Sequence, residues 1–328
     1  MTKLKIGMIG CGFMMNVHAD AFAKMEGVDI VAVVDPVKEQ REKLSARFPG
    51  SRAYKDHNDF YNGEKNLDAV IVAVPPAEHK GLEEEAISRK WNFFVEKPMT
   101  LDPILAKKIA ADSKKAGIVT SVGFQDRYMD ITDRMKEELK TMDVGLIHAT
   151  WAGGTPGVDW WRRKTTCGGQ HIEQTIHLID MVRYLFGEYE SVYAEKTKGI
   201  IKDEDFPGYD IEDSSSLLFR LKCGATATIF SACYLISGSV ADSGITALGR
   251  QKTLVYSLRK DLHVVSNESD LCYKLQNDQL YDADLAFIEA VRKGDPTGVR
   301  SPYSDALISL EACFAADESL KTGKVVKL

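Results

Sequence analysis

Several signals that would point to a particular class of protein are missing from this chain of 328 residues. No apolar run is long enough to span a membrane, and the first strand-like segment follows Met1 directly, without a signal peptide. Positive charge is not in excess, because the formal net charge is −6 and the sequence pI is about 5.7. This balance argues against a general binder of nucleic acid or of anionic membranes.

Cysteine is also sparse, and its spacing carries little information. The six cysteines are scattered along the chain and form no Cys-x-x-Cys pair. The spacing therefore predicts neither a zinc site nor a disulfide framework, and we expect no bound metal. Together with the missing signal peptide, this favours a reducing compartment, and we expect the protein in the cytoplasm.

The composition that is present, 44% hydrophobic and 27% charged, is typical of a globular protein. The length predicts two domains, which we place at residues 1–123 and 124–328. In the first, strand-like runs alternate with helical patterns, which predicts βαβ units, a parallel sheet and a Rossmann fold. In the second, strand-like runs follow one another without intervening helices, which predicts an α+β domain with a mostly antiparallel sheet. We expect its helices near 131–139, 169–186, 279–293 and 303–322.

A glycine-rich turn follows the first predicted strand. Gly10-x-Gly12-x-x-Met15 lies between strand and helix, where Gly10 permits a tight turn and Gly12 lets a pyrophosphate approach the helix N-terminus. Met15 replaces the third glycine of the usual fingerprint, which implies looser packing of helix on strand. Asp35, 23 residues after Gly12, can accept hydrogen bonds from a ribose and would repel a 2′-phosphate, so NAD is favoured over NADP. The alternative is a glycine turn with a helix-capping aspartate.

A second feature, Glu96-Lys97-Pro98, follows the apolar run 91–95. Proline restricts the preceding residue to an extended conformation, which holds Lys97 at the carboxyl edge of the sheet, where such sheets bind ligands. Other predicted cofactor contacts also lie at strand ends or helix starts. Beyond Gly10, Gly12 and Asp35, the predicted contacts are Phe13, Met14, Val74, Pro75, His79, Glu96 and Lys97. For His79, as for His18, a packed or surface histidine is the alternative interpretation.

Four polar residues recur at helical spacing in the predicted helix 169–186. Glu173, His177, Asp180 and Tyr184 are four, three and four residues apart, which places them in one stripe on an otherwise apolar helix. This pattern indicates a polar groove; the alternative is a buried structural network, above all for Asp180 and Tyr184. Histidine, with an unperturbed pKa of about 6.5, can take a hydroxyl proton at neutral pH. Lys97 beside a nicotinamide could share this proton. We therefore predict that Lys97, His177 and Glu173 are catalytic.

Three of the four tryptophans, Trp151, Trp160 and Trp161, fall within eleven residues. Flat aromatic side chains stack on sugar rings, but tryptophan and arginine are also enriched at subunit interfaces, and both interpretations stand. For Arg127, a clamp on an acidic substituent and a structural ion pair are equally open. The predicted substrate contacts are Gln125, Arg127, Trp160, Trp161, Arg162, Glu173 and His177.

Together these motifs resemble the Gfo/Idh/MocA family of NAD(P)-dependent sugar and inositol oxidoreductases. The resemblance covers nearly the whole chain: Gly10-x-Gly12 with His18, Asp35, Pro75 with His79, Glu96-Lys97-Pro98, Gly168-Gly169, Glu173, His177 and Asp180. It implies a Rossmann domain, then an α/β domain whose open sheet often mediates dimers or tetramers, with Lys97 and His177 around the reacting carbon. One departure is Glu173, where many members have aspartate.

The function predicted from the sequence is hydride transfer between NAD and a secondary hydroxyl or keto group. The substrate class is a sugar, a sugar derivative or a cyclitol. Two alternatives stand: an NAD-dependent glycoside hydrolase that oxidises its substrate transiently, and a non-enzymatic NAD-binding regulator. The predicted assembly is a homodimer or homotetramer formed through the sheet of the second domain.

Overall fold

The computed structural model describes residues 3–236 and 243–328. By its internal contacts the chain forms two compact units, each assembled from two segments. The first comprises Met1–Gln125 and Asp278–Leu307, and the second comprises Asp126–Asn277 and Ile308–Leu328. This division differs from the predicted boundary between residues 123 and 124, because a late segment belongs with the first unit. No helix in the described ranges is both long and apolar enough to cross a membrane.

The first unit is built on a six-stranded parallel sheet with the order β3-β2-β1-β4-β5-β6. This order is that of a Rossmann fold, and it confirms the predicted parallel sheet. Up to β6 the elements are β1 Leu4–Ile9, α1 Phe13–Phe22, β2 Val28–Val34, α2 Lys38–Ala46, β3 Arg52–Tyr54, α3 His57–Gly63, β4 Ala69–Val72, α4 Leu82–Ser88, β5 Asn92–Val95, α5 Pro103–Ala116 and β6 Thr120–Val122. The sequence did not indicate β3 or α3, because both are short and neither begins with an apolar run.

The second unit contains a nine-stranded sheet with the order β14-β13-β12-β11-β7-β10-β9-β8-β15. Only the pairing of β7 with β10 is parallel, which confirms a mostly antiparallel sheet. Its strands are β7 Val144–Ala152, β8 Tyr189–Thr197, β9 Ser214–Leu221, β10 Thr226–Ala232, β11 Gly244–Gly249, β12 Lys252–Ser257, β13 Asp261–Ser266, β14 Asp270–Lys274 and β15 Val326–Lys327. The remaining α-helices in the described residues are α6 Asp130–Leu139, α7 Lys164–Cys167, α8 Gln170–Glu173, α9 Ile176–Phe186, α10 Gln279–Lys293 and α11 Tyr303–Thr322.

The helix predicted over 169–186 is interrupted. It forms the short helix α8 and the longer helix α9, and the break falls at Gln174, whose φ of −112° lies outside helical geometry. His177 is therefore the second residue of α9, and Glu173 ends α8. The expected stripe of four residues does not hold as a continuous helical face, because the helical period is lost between Glu173 and His177.

The segment 278–307 joins the first unit through an apolar cluster. Phe287 and Ile288 of α10 belong to the same buried cluster as Met15 and Phe22 of α1. The Phe287 ring also meets Phe94 of β5 edge to face, with ring centroids 5.9 Å apart. Burial of these large apolar side chains favours folding by about 1.5–3 kcal/mol each, so α10 is an integral part of the Rossmann unit.

A buried histidine links α1, α10 and the strand β5. His18 Nδ1 lies 2.9 Å from both carboxylate oxygens of Asp284, and Nε2 lies 3.2 Å from Glu96 Oε1. Burial disfavours the charged imidazole, but Asp284 and Glu96 outweigh that penalty and raise the pKa of His18 to about 10. His18 is therefore a cation held between two carboxylates at neutral pH, which settles its role as a packed histidine.

Replacing His18 with Gln should lower the free energy of unfolding by about 3–5 kcal/mol near neutral pH, because two buried carboxylates lose their cation. The pKa of His18 is raised on folding, so this stabilisation is complete below about pH 6.5 and is lost as the pH rises through about 10. Urea unfolding of the native chain and of His18→Gln across this pH range should show that the difference between their free energies of unfolding becomes smaller as the pH rises. The control His57→Gln, on α3, should change stability little, and an equal loss in both variants would contradict the prediction.

Candidate functional site

The carboxyl edge of the parallel sheet brings several predicted residues together. In the strand register, Ile9 of β1 pairs with Val34 of β2 and with Val72 of β4. Val72 pairs in turn with Val95 of β5. The residues that follow these four strand ends therefore lie side by side: Gly10, Asp35, Ala73 and Glu96. Between β1 and β4 the strand order reverses direction, which is where open α/β sheets bind their ligands.

The two glycines of the turn serve different purposes. Gly10 has a φ of +86°, and a Cβ there would clash with the carbonyl oxygen of Ala73, so the fold itself requires glycine. Gly12 has an ordinary φ of −74°, and a Cβ there would meet no protein atom within 4 Å. Packing within the chain does not explain Gly12, whereas close approach of a pyrophosphate to the N-terminus of α1 does. The turn therefore fits a dinucleotide.

Asp35 is fixed against the turn by backbone donors. Its Oδ2 accepts a hydrogen bond of 2.8 Å from the Cys11 N–H, and its Oδ1 accepts one of 2.8 Å from the Val37 N–H. Each carboxylate oxygen keeps a lone pair with which it can accept a bond from a ribose hydroxyl. The bond to the Val37 N–H closes a turn before α2, and α2 itself has no side-chain cap. Burial, followed by the charge of Asp35, raises the pKa of Cys11 to about 12, so Cys11 stays a neutral thiol.

The other predicted contacts around the turn differ in exposure. Phe13 is 81% exposed at the first position of α1, and Met14, Val74 and Pro75 are half-buried. Met15 is buried in the core cluster, so a side chain fills the space that the third glycine usually leaves between helix and strand. The assignments of Phe13, Met14, Val74 and Pro75 as cofactor contacts stay predictions.

Glu96 is committed to partners within the first unit. Besides the contact of Oε1 with His18, its Oε2 accepts a hydrogen bond of 3.1 Å from the Lys97 N–H. A Cβ on Gly123 would lie 2.5 Å from Glu96 Oε1, so that glycine leaves room for the carboxylate. Lys97 itself is half-buried, and its peptide bond to Pro98 is cis. Glu96 therefore holds the Lys97 backbone in place, and its assignment as a cofactor contact stays a prediction.

His79 occupies the interior of the first unit. Its Nδ1 lies 2.6 Å from Glu83 Oε1, and both side chains are fully buried. The Nε2 atom has no hydrogen-bond partner among the residues that the structure describes. This arrangement corresponds to the packed alternative, and a cofactor contact of His79 stays a prediction.

In the second unit, His177 lies in a small cluster of polar and aromatic groups. Its ring stacks on the indole of Trp151, with centroids 5.7 Å apart and planes 16° apart. Its Nδ1 lies 4.0 Å from Asp126 Oδ2, and Asp126 accepts a hydrogen bond of 2.7 Å from Arg259 Nε. The Arg259 guanidinium in turn lies 5.8 Å from the centre of the Trp151 ring. The cluster fixes the plane of the imidazole and places a carboxylate near it, as a proton acceptor requires.

Three members of this cluster were missing from the residues predicted to form the site. Trp151 was noted only among the clustered tryptophans, and nothing in the spacing of Trp151 or Asp126 linked them to His177. Arg259 had no signal, because it follows β12 and reaches Asp126 across 133 residues of sequence. Only the tertiary fold brings these residues together.

Glu173 is held by one of the three clustered tryptophans. The indole Nε1–H of Trp161 donates a hydrogen bond to Glu173 Oε2. Trp161 is only 2% exposed, packed in a cluster with Cys167 and Ile211. Trp161 therefore presents no surface to a sugar or to another subunit, and this corrects the prediction of a substrate contact at Trp161. Its indole instead orients the Glu173 carboxylate.

The neighbours of Trp161 are less buried. Trp160 is half-buried against the same cluster. The guanidinium of Arg162 lies 4.2 Å from the centre of the Phe206 ring, and its Nη1 is 3.1 Å from Asp159 Oδ1. Both residues stay predicted substrate contacts, as does Gln125, which is buried in the first unit.

Replacing Trp161 with Phe keeps an aromatic ring but removes the donor to Glu173. A hydrogen bond to a charged group contributes about 1.5–3 kcal/mol, so kcat/KM should fall about 10- to 100-fold, mainly through KM. Steady-state kinetics and thermal unfolding measure the two effects separately. The control Trp91→Phe changes a buried tryptophan of the first unit and should leave KM unchanged; equal KM effects in both variants would contradict the role assigned to Trp161.

Arg127 and Asp180 form a buried ion pair in the second unit. The guanidinium donates hydrogen bonds of 2.8 and 2.6 Å to the two carboxylate oxygens, and Ser309 Oγ donates a third of 2.6 Å. The ring of Tyr184 lies 4.6 Å from the Arg127 guanidinium carbon. Because a buried charge needs such pairing, Arg127 serves the fold, which corrects its prediction as a substrate contact. These bonds correspond to the structural alternative for Asp180.

Comparison with known proteins gives matches over most of the chain. Residues 4–124 match the family model described as the oxidoreductase family with NAD-binding Rossmann fold (Gfo/Idh/MocA), and residues 142–255 match the Gfo/Idh/MocA C-terminal domain. The myo-inositol 2-dehydrogenase of Thermotoga maritima is 25% identical over 339 residues, which cover 99% of this chain and 98% of that protein. The scyllo-inositol 2-dehydrogenase (NAD(+)) of Bacillus subtilis is 25% identical over 340 residues, covering 99% and 96%.

The same fold is found among solved structures. Levoglucosan dehydrogenase in complex with NADH superimposes with a TM-score of 0.88 at 18% identity, and the match covers 99% of each chain. At this identity the likeness shows the fold alone.

Proposed function

We infer the reaction of this chain from its family, because it belongs to the Gfo/Idh/MocA oxidoreductases. It is an NAD-dependent oxidoreductase that acts on a CH–OH or keto group of a sugar, sugar derivative or cyclitol. The observation that carries this conclusion is the glycine turn, whose exposed Gly12 and backbone-bound Asp35 suit a dinucleotide. The named relatives are dehydrogenases, and none of the described contacts favours the hydrolase or the regulator.

We propose that Gly10 and Gly12 admit the pyrophosphate of NAD and that Asp35 accepts its ribose hydroxyls. When bound, NAD supplies a nicotinamide ring that accepts hydride from carbon or returns it. The chain supplies the remaining parts: the binding surface, the orientation of the substrate and the transfer of its proton. Asp35 would repel a 2′-phosphate, which supports NAD rather than NADP.

We assign His177 as the residue that accepts the proton of the reacting hydroxyl. As hydride leaves the carbon, the O–H bond breaks, a C=O bond forms and the proton passes to the imidazole. Asp126, 4.0 Å from His177 Nδ1, favours the imidazolium that results. We propose Lys97, at the carboxyl edge of the parallel sheet in the first unit, as a second proton-transfer residue.

Glu173 binds a second hydroxyl of the substrate and so fixes which carbon reacts. Its carboxylate is oriented by Trp161, and a carboxylate accepts hydrogen bonds from sugar or cyclitol hydroxyls. Gln125, Trp160 and Arg162 complete the proposed substrate contacts.

A panel of cyclitols, sugars and sugar acids, each tested with NAD and with NADP, decides the function. The proposal requires NADH to accumulate with at least one cyclitol or sugar, and faster with NAD than with NADP. Cleavage of an aryl glycoside without net NADH would instead favour the hydrolase. Tight NAD binding without turnover of any compound would favour the regulator.

We also propose that a second copy of the chain covers the outer face of the second sheet at its central strands β11, β7, β10 and β9. Along β9 the residues alternate between buried and exposed, and Leu218 is among the exposed ones. Leu146 and Leu248, on paired strands, and Phe230 of β10 are exposed as well. An apolar surface on adjacent strands is typical of a subunit interface, in a homodimer or homotetramer. Light scattering tests this proposal, which requires Phe230→Arg to reduce the mass of the assembly.

The cytoplasm remains our proposed location. All six cysteines are free thiols, four of them buried and two exposed, as expected in a reducing compartment.

A further inference from the structure

We propose that Asp261, His263 and Cys272 bind a zinc ion on the sheet of the second unit. One ligand atom from each side chain can be chosen such that all three lie within 4.8 Å of one another. The set offers one oxygen, one nitrogen and one sulfur. None of the three belongs to the residues assigned to the dehydrogenase reaction.

The strand register explains why these side chains meet. Asp261 and His263 are two residues apart on β13, so they point to the same face of the sheet. Cys272 of β14 pairs directly with His263. Directly opposed and diagonal residues of an antiparallel pair lie within reach of each other, so the backbone places all three groups together without a loop.

A fourth residue orients the histidine. Asp270 Oδ1 lies 2.8 Å from His263 Nδ1, an arrangement in which Nδ1–H donates to the carboxylate. The lone pair of the imidazole is then on Nε2, the atom that would bind the metal. Metal-binding histidines are commonly held in this way by a carboxylate on the other ring nitrogen, which fixes the tautomer and increases ligand basicity.

One carboxylate oxygen of Asp261 lacks a hydrogen-bond donor among the described residues. Its Oδ1 is shielded from solvent and makes no hydrogen bond to any residue that the structure describes. Lys274 is the residue paired with Asp261 across the strands. A buried carboxylate oxygen without a donor is costly, and a bound cation would remove that cost.

The chemistry of the three ligands selects the metal. Carboxylate and thiolate together carry two negative charges, which balance one divalent cation. Magnesium and calcium prefer oxygen ligands, whereas zinc accepts oxygen, imidazole nitrogen and thiolate sulfur in one tetrahedral site. Three protein ligands leave the fourth position for water, and the exposed Cys272 gives the ion a path of entry.

Cobalt(II) is the probe for this site, because a thiolate bound to cobalt gives a charge-transfer absorption band. The full-length protein, stripped with EDTA, should develop this band with one equivalent of Co²⁺ per chain, and Zn²⁺ should remove it by competition. Cys272→Ser should abolish the band, and Asp261→Asn and His263→Gln should weaken binding. Asp270→Asn, which removes only the orienting carboxylate, should lower affinity about 10- to 100-fold.

Cys223→Ser is the matched control, since Cys223 is the other exposed cysteine and should leave the band intact. Circular dichroism of each variant separates lost binding from lost folding. The proposal is overturned if the native chain gives no band at one equivalent. It is also overturned if a folded Cys272→Ser protein keeps the band, or if Cys223→Ser loses it to the same extent.

Discussion

The Lys97→Met variant is expected to turn over its substrate about 10²–10⁴ times more slowly than the native chain while binding NAD with little change in affinity. Methionine keeps most of the side-chain length but cannot donate or share a proton. Lys97 follows β5 at the carboxyl edge of the parallel sheet, and Glu96 holds its backbone. NAD affinity should survive because the glycine turn and Asp35 are untouched.

Two measurements on each variant separate the roles. Steady-state kinetics give kcat and KM, and a calorimetric titration gives the affinity for NAD. Lys114→Met is the matched control, because Lys114 is exposed in the last turn of α5 and should affect neither quantity. Undiminished turnover of Lys97→Met would exclude the proposed proton transfer, and a loss of NAD affinity as large as the loss of kcat would reassign Lys97 to cofactor binding.

Replacing His177 with Asn is the second change for which we expect a large loss, again about 10²–10⁴ in kcat. Asparagine retains a polar group beside Trp151 and Asp126 but cannot take a proton. In the native chain, oxidation should speed up as the pH rises, because only a neutral imidazole can accept the hydroxyl proton. The variant should lose this pH dependence together with its rate.

The pH profile distinguishes a proton acceptor from a structural residue. A purely structural loss would lower the rate equally at every pH and would accompany a lower Tm. His57→Asn provides the control for replacing a histidine elsewhere in the chain. If His177→Asn kept the native pH profile at a reduced rate, the proton acceptor would have to be another group.

Local patterns in the sequence were sufficient where a feature depends on neighbouring residues. The glycine turn, Asp35 and Lys97 each follow an apolar run, and α10 coincides with the predicted range 279–293 because its apolar residues recur at the helical period. The parallel sheet follows from the same alternation of runs.

Features that depend on distant residues could not be predicted in this way. The break at Gln174 occurs within an apolar helical pattern, so periodicity gave no sign of it. Trp161 was predicted on residue type, but its burial against Glu173 depends on the tertiary fold. The zinc site that we propose gives no signal in the cysteine spacing either, because that spacing detects cysteine pairs, whereas His263 and Cys272 meet through strand register.

The contacts of His18 with Glu96 and with Asp284 limit how this protein can be divided into fragments. A fragment that stopped at residue 125 would contain the glycine turn, Asp35 and Lys97, and thus all the motifs of a nucleotide-binding half. It would lack Asp284 and the apolar side of α10, leaving His18 with one carboxylate and the α1 surface uncovered. A minimal NAD-binding fragment of this chain therefore has to be spliced from two separated stretches, with 278–307 returned to 1–125.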